Sequence, residues 1–152
     1  MPHAAELALL ALQSFQVAFL FLHDWIPLGR LNDVAAVRRE NSVAGLIANT
    51  LIAGGLFAFG LGASIHYYGS AYPGWLHRWL FISYGVLFLG ELQAWWIPYL
   101  VHAEPQRAAR YQAMFGRTHS FLPARNGIVP NTLHIILHAA TFATLLLLWR
   151  VL

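Results

Sequence analysis

Glu91, His134 and His138 are the residues of this chain best suited to proton chemistry, and each lies in an otherwise apolar stretch. A carboxyl and two imidazoles in such surroundings serve as general acids or bases, carry protons, or ligate a metal. His134 and His138 are four apart and face the same way on a helix, as two ligands on one helix must. Glu91, His23, His102 or His119 would complete a divalent-metal site of three or four ligands, with His134, His138, His23 and His102 as the leading set. Haem is a narrower version, with His66 and His77 at one end and His138 and His23 at the other as two bis-histidine pairs.

The polar residues recur at helical intervals. Tyr84, Glu91, Trp95 and His102 follow spacings of seven, four and seven. Asn131, His134, His138 and Thr141 follow three, four and three, and Gln13, Gln16 and His23 follow three and seven. A further stretch offers Asn49. Counting 1.5 Å per residue from the nearer loop puts Glu91 about 15 Å deep, His138 about 12 Å, Gln16 about 10 Å and Asn49 about 9 Å. Four helices with one polar stripe each predict a polar seam inside a bundle. His23, His102 and His134 would form a ring nearer the surface, with Asp24 placed to orient His23.

The elements that must position these groups are set by composition. Of 152 residues, 59% are hydrophobic and 10% charged, against about 25% charged in soluble domains. So short a chain has too little interior to hide that much apolar surface from water. The expected solvent is lipid and the expected fold all-α, a single polytopic domain over 1–152. Four runs reach the roughly 20 residues that a span needs: about Ala4–His23, Val43–Tyr67, Gly74–Val101 and Pro130–Leu152. The first reads as a span rather than a leader, because no Lys or Arg precedes Arg30. With no cysteine and no lysine, thiolate metal sites and Schiff-base chemistry are excluded. The net charge of +3 reads as arginine-biased loops, with no nucleic-acid partner.

Arg30, Arg38 and Arg39 lie in loop 24–42, and Arg107, Arg110, Arg117 and Arg125 in loop 102–129. The positive-inside rule puts both loops in the cytoplasm and both termini outside it, as in a bacterial inner membrane. Each loop is expected to carry a short interfacial helix, Leu31–Glu40 and Pro105–Phe115, the second with Pro at its start and Gly116 at its stop. The later part of the second loop mixes turn formers, aromatics and cations. Arg117, His119 and Arg125 beside the start of the fourth span suggest an anion site, where free N–H groups and the helix dipole add to the arginines. Gly54, Ala58 and Gly62 form a small-residue stripe, for packing inside the bundle or between copies of the chain.

Arg38-x-x-Asn41-x-x-Ala44 at the start of the second span, with four spans and a long first loop, resembles the membrane-associated eicosanoid and glutathione metabolism family. That family carries a Glu where this chain has Ala44. The resemblance implies a glutathione-dependent transferase.

The leading functional expectation is a membrane-embedded enzyme or binding protein for an amphipathic, anionic small molecule or lipid. Glu91, His134 and His138 would form its core, Arg117, His119 and Arg125 would guide the head group, and Asn49, Gln16 and Trp95 would line the site. A proton-coupled transporter using Glu91, a histidine-ligated metal protein and an accessory subunit are the alternatives.

Overall fold

Long runs of apolar residues propagate as helices in lipid because only then is every backbone polar group satisfied within the segment. The computed structural model, which describes residues 3–150, has four such helices: α1 (His3–Leu22), α3 (Val43–His66), α4 (Gly74–Glu91) and α7 (Thr132–Arg150). A π-helical turn (Leu92–Trp96) and a short α5 (Ile97–Leu100) continue α4 without a break. Two shorter helices, α2 (Val34–Glu40) and α6 (Pro105–Phe115), lie in the long connections. The protein is 75% helix, and no strand occurs among the described residues. Four helices are long and apolar enough to cross a membrane. Val151 and Leu152, assigned to the fourth span from sequence, lie outside the described residues. That span starts later than Pro130, because Asn131 caps it.

α1 packs on α3 and α7, and α4 packs on the same two helices. The order around the bundle is therefore α1, α3, α4, α7. Leu9, Phe57, Leu76, Leu80, Tyr84 and Leu148 meet inside it. Ile52, Leu51, Ile82, Val86 and Leu89 point outward and are exposed, a belt suited to hydrocarbon and not to water.

The small-residue stripe is split by this packing. A Cβ on Gly54 would sit 2.9 Å from the Phe21 ring, so Gly54 lets α3 approach α1, whereas a Cβ on Gly62 would meet no other part of the described residues within 4 Å. We expect Gly54→Val to lower stability by about 1–3 kcal/mol through overpacking. Gly62→Ala should be close to neutral. Thermal unfolding in detergent checks both, and an unchanged midpoint for Gly54→Val would contradict the packing.

α2 and α6 pack together at the arginine-rich end. There Val37, Leu46, Trp95, Tyr99, Met114 and Phe115 form a second core. Ile97 N–H donates to the Leu92 carbonyl five residues back, and Pro98 has no N–H to donate. In this irregular stretch two carbonyls accept from α6. Tyr111 OH donates to Ala94 O at 2.8 Å and Arg107 Nη1 to Gln93 O at 3.2 Å.

The chain beyond α6 folds back on the same helix end. Asn126 and Gly127, at φ 52° and 76°, make a two-residue turn closed by Arg125 N–H to Ile128 O and Ile128 N–H to Arg125 O. Positive φ at both central positions is the Asn-Gly signature of a type I′ turn. Asn126 Nδ2 donates to Tyr99 O at 3.0 Å, and Tyr99 OH donates to Pro123 O at 3.1 Å. The loop is thereby tied to the end of the third long helix.

Candidate functional site

Three helices bring polar side chains together in the middle of the bundle. Gln16 on α1, Glu91 at the end of α4, and Thr141 and Thr144 on α7 are all buried. Gln16 Nε2 donates to Thr144 Oγ1 at 2.9 Å and to Leu12 O at 3.0 Å. The Thr141 hydroxyl lies 2.8 Å from Glu91 Oε1, 3.2 Å from Gln16 Oε1 and 3.1 Å from Leu137 O. It has one hydrogen for three acceptors. With Glu91 ionised, that hydrogen goes to the carboxylate. With Glu91 protonated, Thr141 Oγ1 accepts from the carboxyl and turns its own hydrogen to Leu137 or Gln16. Either charge state of Glu91 thus finds a hydrogen-bonded arrangement without movement of a helix.

Other groups in the seam are unpartnered. Glu91 Oε2, the Tyr84 hydroxyl and both amide atoms of Gln13 are buried without a hydrogen-bond partner among the described residues. Natural proteins leave few such atoms, and each calls for an explanation. Glu91 is also the last residue before the π-helical turn, a distortion concentrated at functional sites.

Towards the arginine-rich end the seam becomes a ladder of rings. His134 lies 4.6 Å from Trp95, 5.2 Å from Phe115 and 5.7 Å from His23, centroid to centroid. His23 stacks on Phe19 at 4.1 Å. Trp96 Nε1 donates to His138 Nδ1 at 3.1 Å. An indole N–H only donates, so the neutral His138 ring carries its hydrogen on Nε2. His134 Nδ1 faces the acceptor Asn131 Oδ1 at 3.2 Å and carries its hydrogen there. His23 Nδ1 donates to Phe19 O at 2.7 Å, while Nε2 lies 3.1 Å from Asp24 Oδ1. Burial pushes the Asp24 carboxyl up and the His23 charge pulls it back.

This pair opens onto a cavity of about 510 Å³ lined by His23, Asp24, Asn41, Asn49, Tyr111 and His134 among others. It lies between the bundle and the two short helices and falls in the size range of small-molecule sites.

The predicted metal set does not assemble. His134 and His138 share a face, with centroids 6.3 Å apart. His138, however, holds the indole hydrogen on one nitrogen and its own on the other, and His23 is engaged with Asp24. His102 is exposed and leaves the ring. The seven-residue step from Trp95 assumes an unbroken α-helix, whereas the π turn shifts the register and the helix stops at Leu100. Among the described residues no three His, Asp or Glu side chains are grouped to hold a metal ion.

Nor do the arginines of the second loop converge on the start of α7. Arg117 is largely exposed and lies 3.3 Å from Asp33 Oδ2. Arg125 is exposed, and His119 Nδ1 lies 2.8 Å from Thr132 Oγ1. The first N–H groups of α7 are already taken, since Leu133 and His134 both donate to Asn131 Oδ1. Asn49 is exposed on its helix and only borders the cavity. The buried polar residue there is its neighbour Thr50, whose Oγ1 accepts from Trp25 Nε1.

Sequence reasoning missed Thr144 and Trp96. Thr144 continues the α7 stripe by three residues and was open to discovery. Trp96 meets His138 only because of the π turn, which no spacing rule announces.

Arg38 and Asn41, which carry the family resemblance, serve the loops. The Arg38 guanidinium lies 5.2 Å above the Trp25 ring, and Asn41 Oδ1 accepts from Arg110 Nη2 at 2.6 Å. Compared with models of protein families, with curated proteins and with solved structures, the chain matches none.

Proposed function

We propose that this is a small proton-linked membrane carrier in which Glu91 binds and releases a proton while a small polar molecule enters the cavity beside His23 and Asp24. The observation that carries this reading is the Thr141 hydroxyl, which serves either charge state of a carboxyl buried between helices. An ionisable group at such depth is costly and is kept where protons or ions move. The orphaned atoms of Gln13 and Tyr84 extend the polar seam along α1 and α4. The ring ladder joins it to the cavity. The arginine distribution supports an orientation with the long loops and the cavity towards the cytoplasm and the termini on the far side.

The cavity itself favours a second reading, binding or turnover of a small molecule with the His23–Asp24 pair as acid and base. One experiment separates the two. Purified protein is reconstituted in vesicles enclosing a pH dye, and proton flux is followed under an imposed pH gradient. The carrier reading expects flux above protein-free vesicles, falling to their level in Glu91→Gln while circular dichroism and elution volume stay unchanged. Flux in Glu91→Gln equal to wild type, or no wild-type flux, would overturn it.

A further inference from the structure

We propose that a groove walled by Arg30, Arg38 and Arg117 binds the head group of an anionic lipid, with an acyl chain in an adjoining apolar groove on the outside of α1 and α7. None of the three arginines belongs to the Glu91 seam, so the inference stands independently of the carrier reading.

The head-group groove encloses about 630 Å³ and is also lined by Trp25, Asn32 and Asp33. Its charge is unbalanced. Three guanidinium groups face one carboxylate, and Asp33 is already engaged, with Oδ1 accepting from Ala36 N–H and Oδ2 beside Arg117. A phosphate diester supplies the missing negative charge, and guanidinium groups bind phosphate oxygens in paired hydrogen bonds.

The groove is held in shape before any ligand arrives. Arg38 rests on the Trp25 ring, which Thr50 anchors from α3. Asn32 Nδ2 donates to His23 O and Ile26 O at 2.7 and 2.8 Å, and Asn32 Oδ1 accepts from Leu28 N–H. The Arg30 carbonyl accepts from His119 N–H at 2.6 Å. A preformed site loses little freedom on binding.

The second groove, about 180 Å³, is lined by Phe15, Ala18, Phe19, Leu22 and Leu133. Residues 25–29 form a wall common to both. Trp25, Pro27 and Gly29 line the charged side, and Ile26 and Leu28 line the apolar side. Ile26 and Leu28 remain 45% and 43% exposed, which suits contact with a lipid chain. A charged groove and an apolar groove sharing one wall at the end of a span match a phospholipid. A free anion would use only the first.

The test uses the full chain in neutral detergent and reads the thermal midpoint against added lipid. Phosphatidylglycerol should raise the midpoint. Phosphatidylcholine with the same chains, and glycerol phosphate, should not do so at the same concentration. Arg30→Gln and Arg38→Gln should each weaken the phosphatidylglycerol effect about fivefold, the worth of one arginine near an anionic surface. Arg107→Gln, outside the groove, should behave as wild type. Ala18→Trp, which fills the apolar groove, should also weaken it. Arg30 is exposed and its side chain makes no hydrogen bond among the described residues, so its variant keeps the test sound should Arg38→Gln unfold. Equal stabilisation by phosphatidylcholine, a full response to glycerol phosphate alone, or an undiminished response in Arg30→Gln would overturn the proposal.

Discussion

Thr141→Val is expected to lower stability by about 3 kcal/mol, the cost of leaving buried acceptors without their donor. The substitution keeps the side-chain shape and deletes one hydroxyl. Glu91 Oε1 and Gln16 Oε1 then face a methyl group, and Glu91, whose Oε2 is already unpartnered, keeps no side-chain partner among the described residues. Networks that are partly satisfied in a low-dielectric interior cost more than pairwise counting suggests. Thr141→Ser should recover most of the loss, and Thr144→Val should cost less, because Gln16 Nε2 still donates to Leu12 O. Denaturant or thermal unfolding in detergent measures all three. On the carrier reading, Thr141→Val also stops proton flux, because Glu91 loses the group that accommodates both its charge states. A valine variant as stable and as active as wild type would remove Thr141 from the site.

Gly127→Ala is expected to cost roughly 2–5 kcal/mol, from about 1–2 for a left-handed non-glycine residue and about 1–3 for overpacking. The backbone there has φ 76°, and an added Cβ would come 2.8 Å from Ala108 Cβ on α6. The clash pushes α6 away from the loop. α6 holds Tyr111 against Ala94 O and Phe115 against Trp95 and His134, so the cavity should open as well. A midpoint shift in detergent, with faster hydrogen exchange over residues 105–128, is the expected signature. A midpoint within about half a kcal/mol of wild type, the range of neutral surface substitutions, would show that the turn tolerates a side chain.

The polar stripes of α1 and α7 were legible because each is a local property. Gln13 and Gln16, and Asn131, His138 and Thr141, repeat at helical intervals within apolar runs, and all of them are buried. The two short helices were legible as well. Pro105 and Gly116 bracket α6 at both ends, and the weaker pattern at 31–40 becomes a 3₁₀ turn at Gly29–Leu31 followed by α2. The third polar stripe was legible only as far as Trp95. It fails at His102 because a π turn and a proline change the register without changing the composition.

What the sequence determined by itself is the number of long helices, their fitness in length and hydropathy to cross a membrane, which end carries the arginines, and the inward faces of α1 and α7. Each follows from hydrophobicity and a 3.6-residue repeat, which act over one or two turns. Only the tertiary structure decided which polar groups meet. Thr141 reaches both Glu91 and Gln16, Trp96 takes the His138 nitrogen, Asn131 caps the helix end expected to bind an anion, and Arg117 turns to Asp33. These pairings depend on the distance and rotation of one helix against another. A few ångströms there decide whether a hydrogen bond exists, and no single helix carries that information in its own spacing.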